Sequence, residues 1–119
     1  MPVPFGAGAG APSFRGTNER HAVVVEYLTF AIEAADLAAW LAVEERTWSR
    51  FLERQPGFVR KQVWAEESRT GVVHAVIWWV DQASWDACNG PGLAAVDESM
   101  GPWLRHPTSC RTFEVVRDC

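Results

Sequence analysis

The stretch that most constrains this chain is residues 72–85, reading VVHAVIWWVDQASW. Its first nine residues are apolar except for His74 and contain the pair Trp78 and Trp79. β-Branched and aromatic side chains suit a pleated surface covered on both sides, so this run is predicted to be a central strand. Asp81 then offers a helix N-cap, and a helical pattern begins at Trp85. A central strand feeding a helix, with an imidazole and several indoles at the junction, is a place where a small α+β domain can hold a ligand.

The remainder of the chain supplies partners for that strand. Residues 23–30, VVVEYLTF, read as a first strand in which Val24, Glu26, Leu28 and Phe30 share one face. Residues 36–54 change to a helical period, with Leu37, Trp40, Leu41, Trp48, Phe51 and Leu52 on one stripe and Glu44 among them. Gln55-Pro56-Gly57 ends the helix. Residues 58–65 form a second strand, with Phe58, Arg60, Gln62 and Trp64 expected opposite Val59, Lys61 and Val63. The polar turn 66–71 joins it to the central strand as an antiparallel hairpin. A second helix follows Asp81 and is broken at Asn89-Gly90-Pro91-Gly92. It resumes with Leu93, Val96, Met100 and Trp103, and residues 111–117 supply the last strand. The order β-α-β-β-α-β specifies a ferredoxin-like α+β fold, a four-stranded antiparallel sheet with both helices on one face.

Length and charge narrow the rest. At 119 residues the chain makes one domain, residues 22–119, preceded by a Gly/Pro-rich leader over residues 1–21 that is expected to be flexible. Seven tryptophans exceed what so short a chain needs for its core, which favours an aromatic pocket, a subunit interface, or both. The uncovered sheet face would carry Val, Ile, Tyr or Trp, so a homodimer packed sheet on sheet is expected. A net charge of −4 and a pI near 5.3 leave no basic stripe for nucleic acid. No apolar run is long enough to span a bilayer and no signal pattern opens the chain, so membrane association is not expected and the location is read as cytoplasmic. Cys88, Cys110 and Cys119 lack metal-ligand spacing, so no metal is expected.

The candidate site residues follow from polar groups set among apolar ones. Glu26 and Glu44 would face each other between the first strand and first helix, where burial raises a carboxyl pKa and makes a general base. Pairing of either with Lys61 or Arg60 is the structural alternative. His74 is the third catalytic candidate, although alternation places it on the face away from Trp79, toward a dimer interior. Trp40, Trp48, Trp79 and Trp85 would line one cavity and hold a flat aromatic substrate, with Lys61 beside them. The chain lacks a nucleophile elbow, a Walker loop, a dinucleotide glycine motif and an HExxH motif, so hydrolase, kinase and nicotinamide chemistry lack their usual support.

The segments VVEYLTF (24–30), TWSRFLERQPGF (47–58) and KQVW (61–64), with Trp78, Trp79 and Trp85, resemble the dimeric α+β barrel superfamily, most closely its antibiotic biosynthesis monooxygenases. The resemblance covers roughly residues 23–116. It implies a pocket between sheet and helices and a cofactor-independent oxygenation of an aromatic or polyketide-like small molecule. A polyketide cyclase or isomerase, or a non-catalytic binding or assembly module, are the alternatives on the same fold. Glu26 and Trp79 match positions where haem-degrading relatives carry an asparagine and a tryptophan. The haem-binding histidine of those relatives has no counterpart in 87–90, Ala-Cys-Asn-Gly, where only the Cys88 sulfur could in principle ligate iron. No cofactor is therefore expected.

Overall fold

The protein is described here by a computed structural model covering residues 23–119. The leader expected over residues 1–21 lies outside the described residues.

Four strands, β1 (Val24–Ala31), β2 (Phe58–Ala65), β3 (Val72–Trp79) and β4 (Ser109–Glu114), form one antiparallel sheet in the order β2-β3-β1-β4. The apolar run opened by Val72 is thus an interior strand, paired to β1 and β2. Val73, Ala75, Ile77 and Trp79 are at most 2% exposed and face the helices. β1 contributes Val24, Glu26, Leu28 and Phe30 to the same buried face. The last strand begins two residues earlier than the sequence pattern suggests, because Ser109 and Cys110 pair with Thr29 and Leu28.

The first helical region is continuous but not uniform. It runs from a 3-10 turn (Ala34–Asp36) into α1 (Leu37–Glu44), a π-helical turn (Glu45–Ser49) and α2 (Arg50–Glu53). Trp40, Glu44, Trp48 and Leu52, spaced by four, all point inward. On a regular α-helix each such step drifts by about 40°, since the period is about 3.6 residues. The wider π turn absorbs that drift and keeps all four on the sheet side.

Gly57 then reverses the chain with φ of 84°, a conformation glycine adopts without strain. A Cβ there would lie 2.1 Å from Ser84 Oγ, so the turn also needs the missing side chain to seat the next helix. The alternation expected for β2 is corrected at this point. A bulge between Phe58 and Arg60 puts Phe58 opposite Trp79, on the helix side with Lys61 and Val63. Its rings meet Trp79 edge-on at 6.1 Å.

Asp81 caps α3 (Gln82–Cys88), its carboxylate accepting from the Ser84 backbone N–H at 2.8 Å. The helix breaks at Asn89-Gly90, and α4 (Pro91–Ser99) restarts with proline in its first turn. Packed between these helices and the sheet are Phe30, Trp40, Trp48, Trp79 and Trp85, all buried.

Candidate functional site

The two glutamates selected from the sequence are both buried, Glu26 at 2% and Glu44 at 3% exposure. They occupy different surroundings. Glu26 comes from the middle of β1, directly across from Ile77. One of its oxygens accepts from Trp79 Nε1 at 3.1 Å, and its Oε2 has no hydrogen-bond partner among the described residues. Burial pushes its carboxyl pKa up to about 7, against the smaller opposing effects of the Trp79 N–H and the Lys61 charge.

Beside Glu26 lies a cavity of about 10 Å³, walled by Leu28, Trp48, Ile77, Trp85 and Cys88 and closed by Asn89 at the α3–α4 break. That space is the size of one water molecule. The expectation of one cavity lined by Trp40, Trp48, Trp79 and Trp85 is therefore corrected. Trp48 and Trp85 line it, whereas Trp40 and Trp79 are packed solid in the core. Large indoles interdigitate to crystal-like density when aromatic neighbours are available, as Phe30 is for Trp40 at 5.3 Å.

Glu44 is held differently. Its Oε2 forms an ion pair with Lys61 Nζ and accepts from Ser49 Oγ at 2.9 Å. Lys61 Nζ also donates to Ser49 Oγ at 3.0 Å and lies 5.7 Å from the Trp48 ring centre. Burial pushes the Lys61 ammonium down to about 7, with the Glu26 charge pulling it back. Of the two cations expected near these acids, Lys61 takes Glu44, while Arg60 stacks over Trp78 at 4.5 Å. The Lys61 cluster opens onto a groove of about 570 Å³ between the first helix and β2. Glu26 and Glu44 thus line separate spaces, with Lys61 and Trp48 between them.

His74 belongs to neither space. It lies on the opposite sheet face, bonded through Nδ1 to Thr29 Oγ1 at 3.0 Å and through Nε2 to Glu66 Oε2 at 2.8 Å. The Arg69 guanidinium, and next the His74 ring, hold the Glu66 carboxyl down at about 2. Tyr27 packs against His74, Trp64 and Phe113 on this face, leaving Trp64 and Phe113 about two-fifths exposed.

Three participants escaped the sequence pattern. Ser49 follows Glu44 by five positions, which share a face only because of the π turn. Asp97 on α4 accepts from Trp48 Nε1 at 2.8 Å, and burial raises its carboxyl pKa. Thr29 reaches His74 only through the register of β1 against β3. No sequence spacing announces either of the last two. Among the described residues, no group of three His, Cys, Asp or Glu side chains is placed to hold a metal ion. Cys88 is a poor thiolate donor, since burial first and the Glu26 charge second push its thiol up to about 12. None of the helices among the described residues is long and apolar enough to cross a membrane.

No family model and no curated protein matches the sequence. Solved structures do match. A point-mutant form of SnoaB, a cofactor-independent oxygenase from Streptomyces nogalater, is similar with a TM-score of 0.66 at 23% identity, over 82% of this chain and 96% of that one. A haem-degrading protein of Mycobacterium tuberculosis gives 0.64 at 21% identity, over 82% and 98%. A Caulobacter crescentus protein provisionally named an antibiotic biosynthesis monooxygenase gives 0.62 at 14%, over 84% and 93%. Strand order, helix placement and these likenesses agree: the chain has the ferredoxin-like α+β fold of antibiotic biosynthesis monooxygenase-like proteins.

Proposed function

We propose that the chain is a small-molecule enzyme, a cofactor-independent monooxygenase that acts on an electron-rich aromatic or polyketide-like substrate at Glu26. One observation carries this reading. Glu26 is a buried carboxyl with an oxygen unpartnered among the described residues and a pKa raised to about 7, beside the cavity between sheet and helices. A base poised near neutrality, in an apolar surround, suits removal of an acidic phenolic or enolic proton. The resulting anion reacts with dioxygen directly. A substrate methylene becomes a carbonyl, the second oxygen atom leaves as water, and the substrate supplies all the electrons.

Trp79 Nε1–H steadies the charge that Glu26 carries before the transfer. Trp48 and Trp85, both in the cavity wall, are the surfaces against which a planar substrate stacks. Ligand sites normally span several hundred Å³. Substrate entry accordingly requires outward movement of the Asn89-Gly90 break, where both residues are exposed. The filled interior and the paired Glu44 are what favour the rival reading, a non-catalytic binding or assembly module.

Oxygen uptake decides between them. A panel of electron-rich phenols and enols should be consumed by the parent protein and not by Glu26→Gln with an unchanged circular-dichroism spectrum. Equal uptake by both proteins sinks the assignment of Glu26.

The same reading includes a homodimer formed over the Tyr27–Trp64–Phe113 face. Two large aromatic rings exposed on the sheet face that the helices leave open favour a second copy there. In sedimentation, the parent should run as a dimer and Trp64→Asp as a monomer; a monomeric parent removes the dimer.

A further inference from the structure

The groove beside Glu44 holds the chain's single lysine. Ten of its eleven basic residues are arginines, and Lys61 is the exception. It is not a surface cation, for its side chain is 6% exposed and bonded to Glu44 and Ser49. Arginine cannot give up its proton in a protein, whereas a lysine can. The one side-chain primary amine therefore sits in a cluster with an acid and a hydroxyl, at the wall of a groove of ligand size.

We propose that Lys61 is a nucleophilic amine that captures the carbonyl group of an aldehyde or ketone bound in this groove as a covalent imine, with Glu44 passing the protons. Glu44 takes a proton from the Lys61 ammonium. The free amine attacks the carbonyl carbon, forming the C–N bond, and a proton moves from nitrogen to oxygen to give a carbinolamine. Glu44 then returns its proton to the hydroxyl, which leaves as water. The product is a protonated imine, one positive charge facing the Glu44 carboxylate, as before the reaction.

The groove indicates the class of ligand. Leu41, Phe58 and Val63 line it with apolar surface. Its Arg50 is already paired with Glu45 and Glu53, and the Arg60 guanidinium lies over Trp78. Among the described residues of the groove no cation stands apart from such a partner, which favours a neutral carbonyl compound with an apolar body.

Reductive trapping tests this without knowledge of the natural ligand. The full chain is treated at pH 7 with benzaldehyde and cyanoborohydride, natively and in urea, and the benzyl adduct at Lys61 is quantified by peptide mass spectrometry against the N-terminal amine. A buried nucleophile reacts at least about tenfold faster in the native protein than in the unfolded one, where lysine is almost wholly protonated. A purely structural ion pair shows the reverse, with Lys61 protected until the chain unfolds, and that result overturns the proposal. So does a native adduct confined to the N-terminus. Lys61→Arg, which keeps the positive charge, should lose the internal adduct; an internal adduct that survives in it also overturns the assignment.

Discussion

Glu26 on β1 and Glu44 on α1 are almost equally buried, yet among the described residues only Glu44 has a counter-charge. Glu44 shares its environment with Lys61 and Ser49, so its charge is met by an ammonium and a hydroxyl donor. Glu26 has a single indole N–H and an oxygen with no partner among the described residues. A buried carboxylate lacking a counter-charge takes up a proton at a higher pH instead of remaining ionised. Pairing makes Glu44 a structural anchor with a reactive neighbour; isolation leaves Glu26 able to exchange a proton near neutrality.

The largest expected separation is in turnover. Glu26→Gln should lower kcat by about 10²- to 10⁴-fold with little change in KM, since a general base acts in the chemical step. Oxygen-uptake kinetics measure this, and a loss confined to KM would recast Glu26 as a binding group.

Glu44 should weigh most on stability. Glu44→Ala leaves Lys61 buried without its partner and should cost about 3 to 4 kcal/mol in urea unfolding, the usual penalty for breaking one side of a buried pair. Replacing both, as Glu44→Leu with Lys61→Met, should restore most of that loss. If the double variant stays as unstable as the single one, the pair is not the source.

The smallest effect is a pH dependence set chiefly by Glu26, to which Asp97, its carboxyl also raised by burial, adds in the same direction. Its folded pKa of about 7 exceeds the ordinary value of 4.5. The folded state therefore holds the proton more tightly, and the associated stability is complete below pH 4.5 and lost as pH rises to 7. The loss is about 3 kcal/mol at about 1.4 kcal/mol per pKa unit. Lys61 has the opposite sign above neutrality, its lowered pKa making stability recover between about 7 and 10.5. Urea unfolding of the parent at pH 5 and pH 7.5 should show the decline, and Glu26→Gln should remove most of it. An undiminished decline in that variant assigns the effect to another group.

The sequence by itself determined the fold, because strand and helix periods are local. The apolar run at Val72, the β-branched segment at Val24 and the Asp81 cap each mark their element through neighbouring residues. It also determined that Glu26 faces the helices and His74 faces away, since alternation along a strand leaves no third choice. Tertiary structure decided the rest. The bulge that turns Phe58 inward, the π turn that brings Ser49 to Glu44, and the β1–β3 register that joins Thr29 to His74 depend on contacts distant in sequence. It also closed the expected aromatic cavity to a water-sized space and paired Lys61 with Glu44. Periodicity sets the direction in which a side chain points, but only packing determines what it meets there and how much room is left.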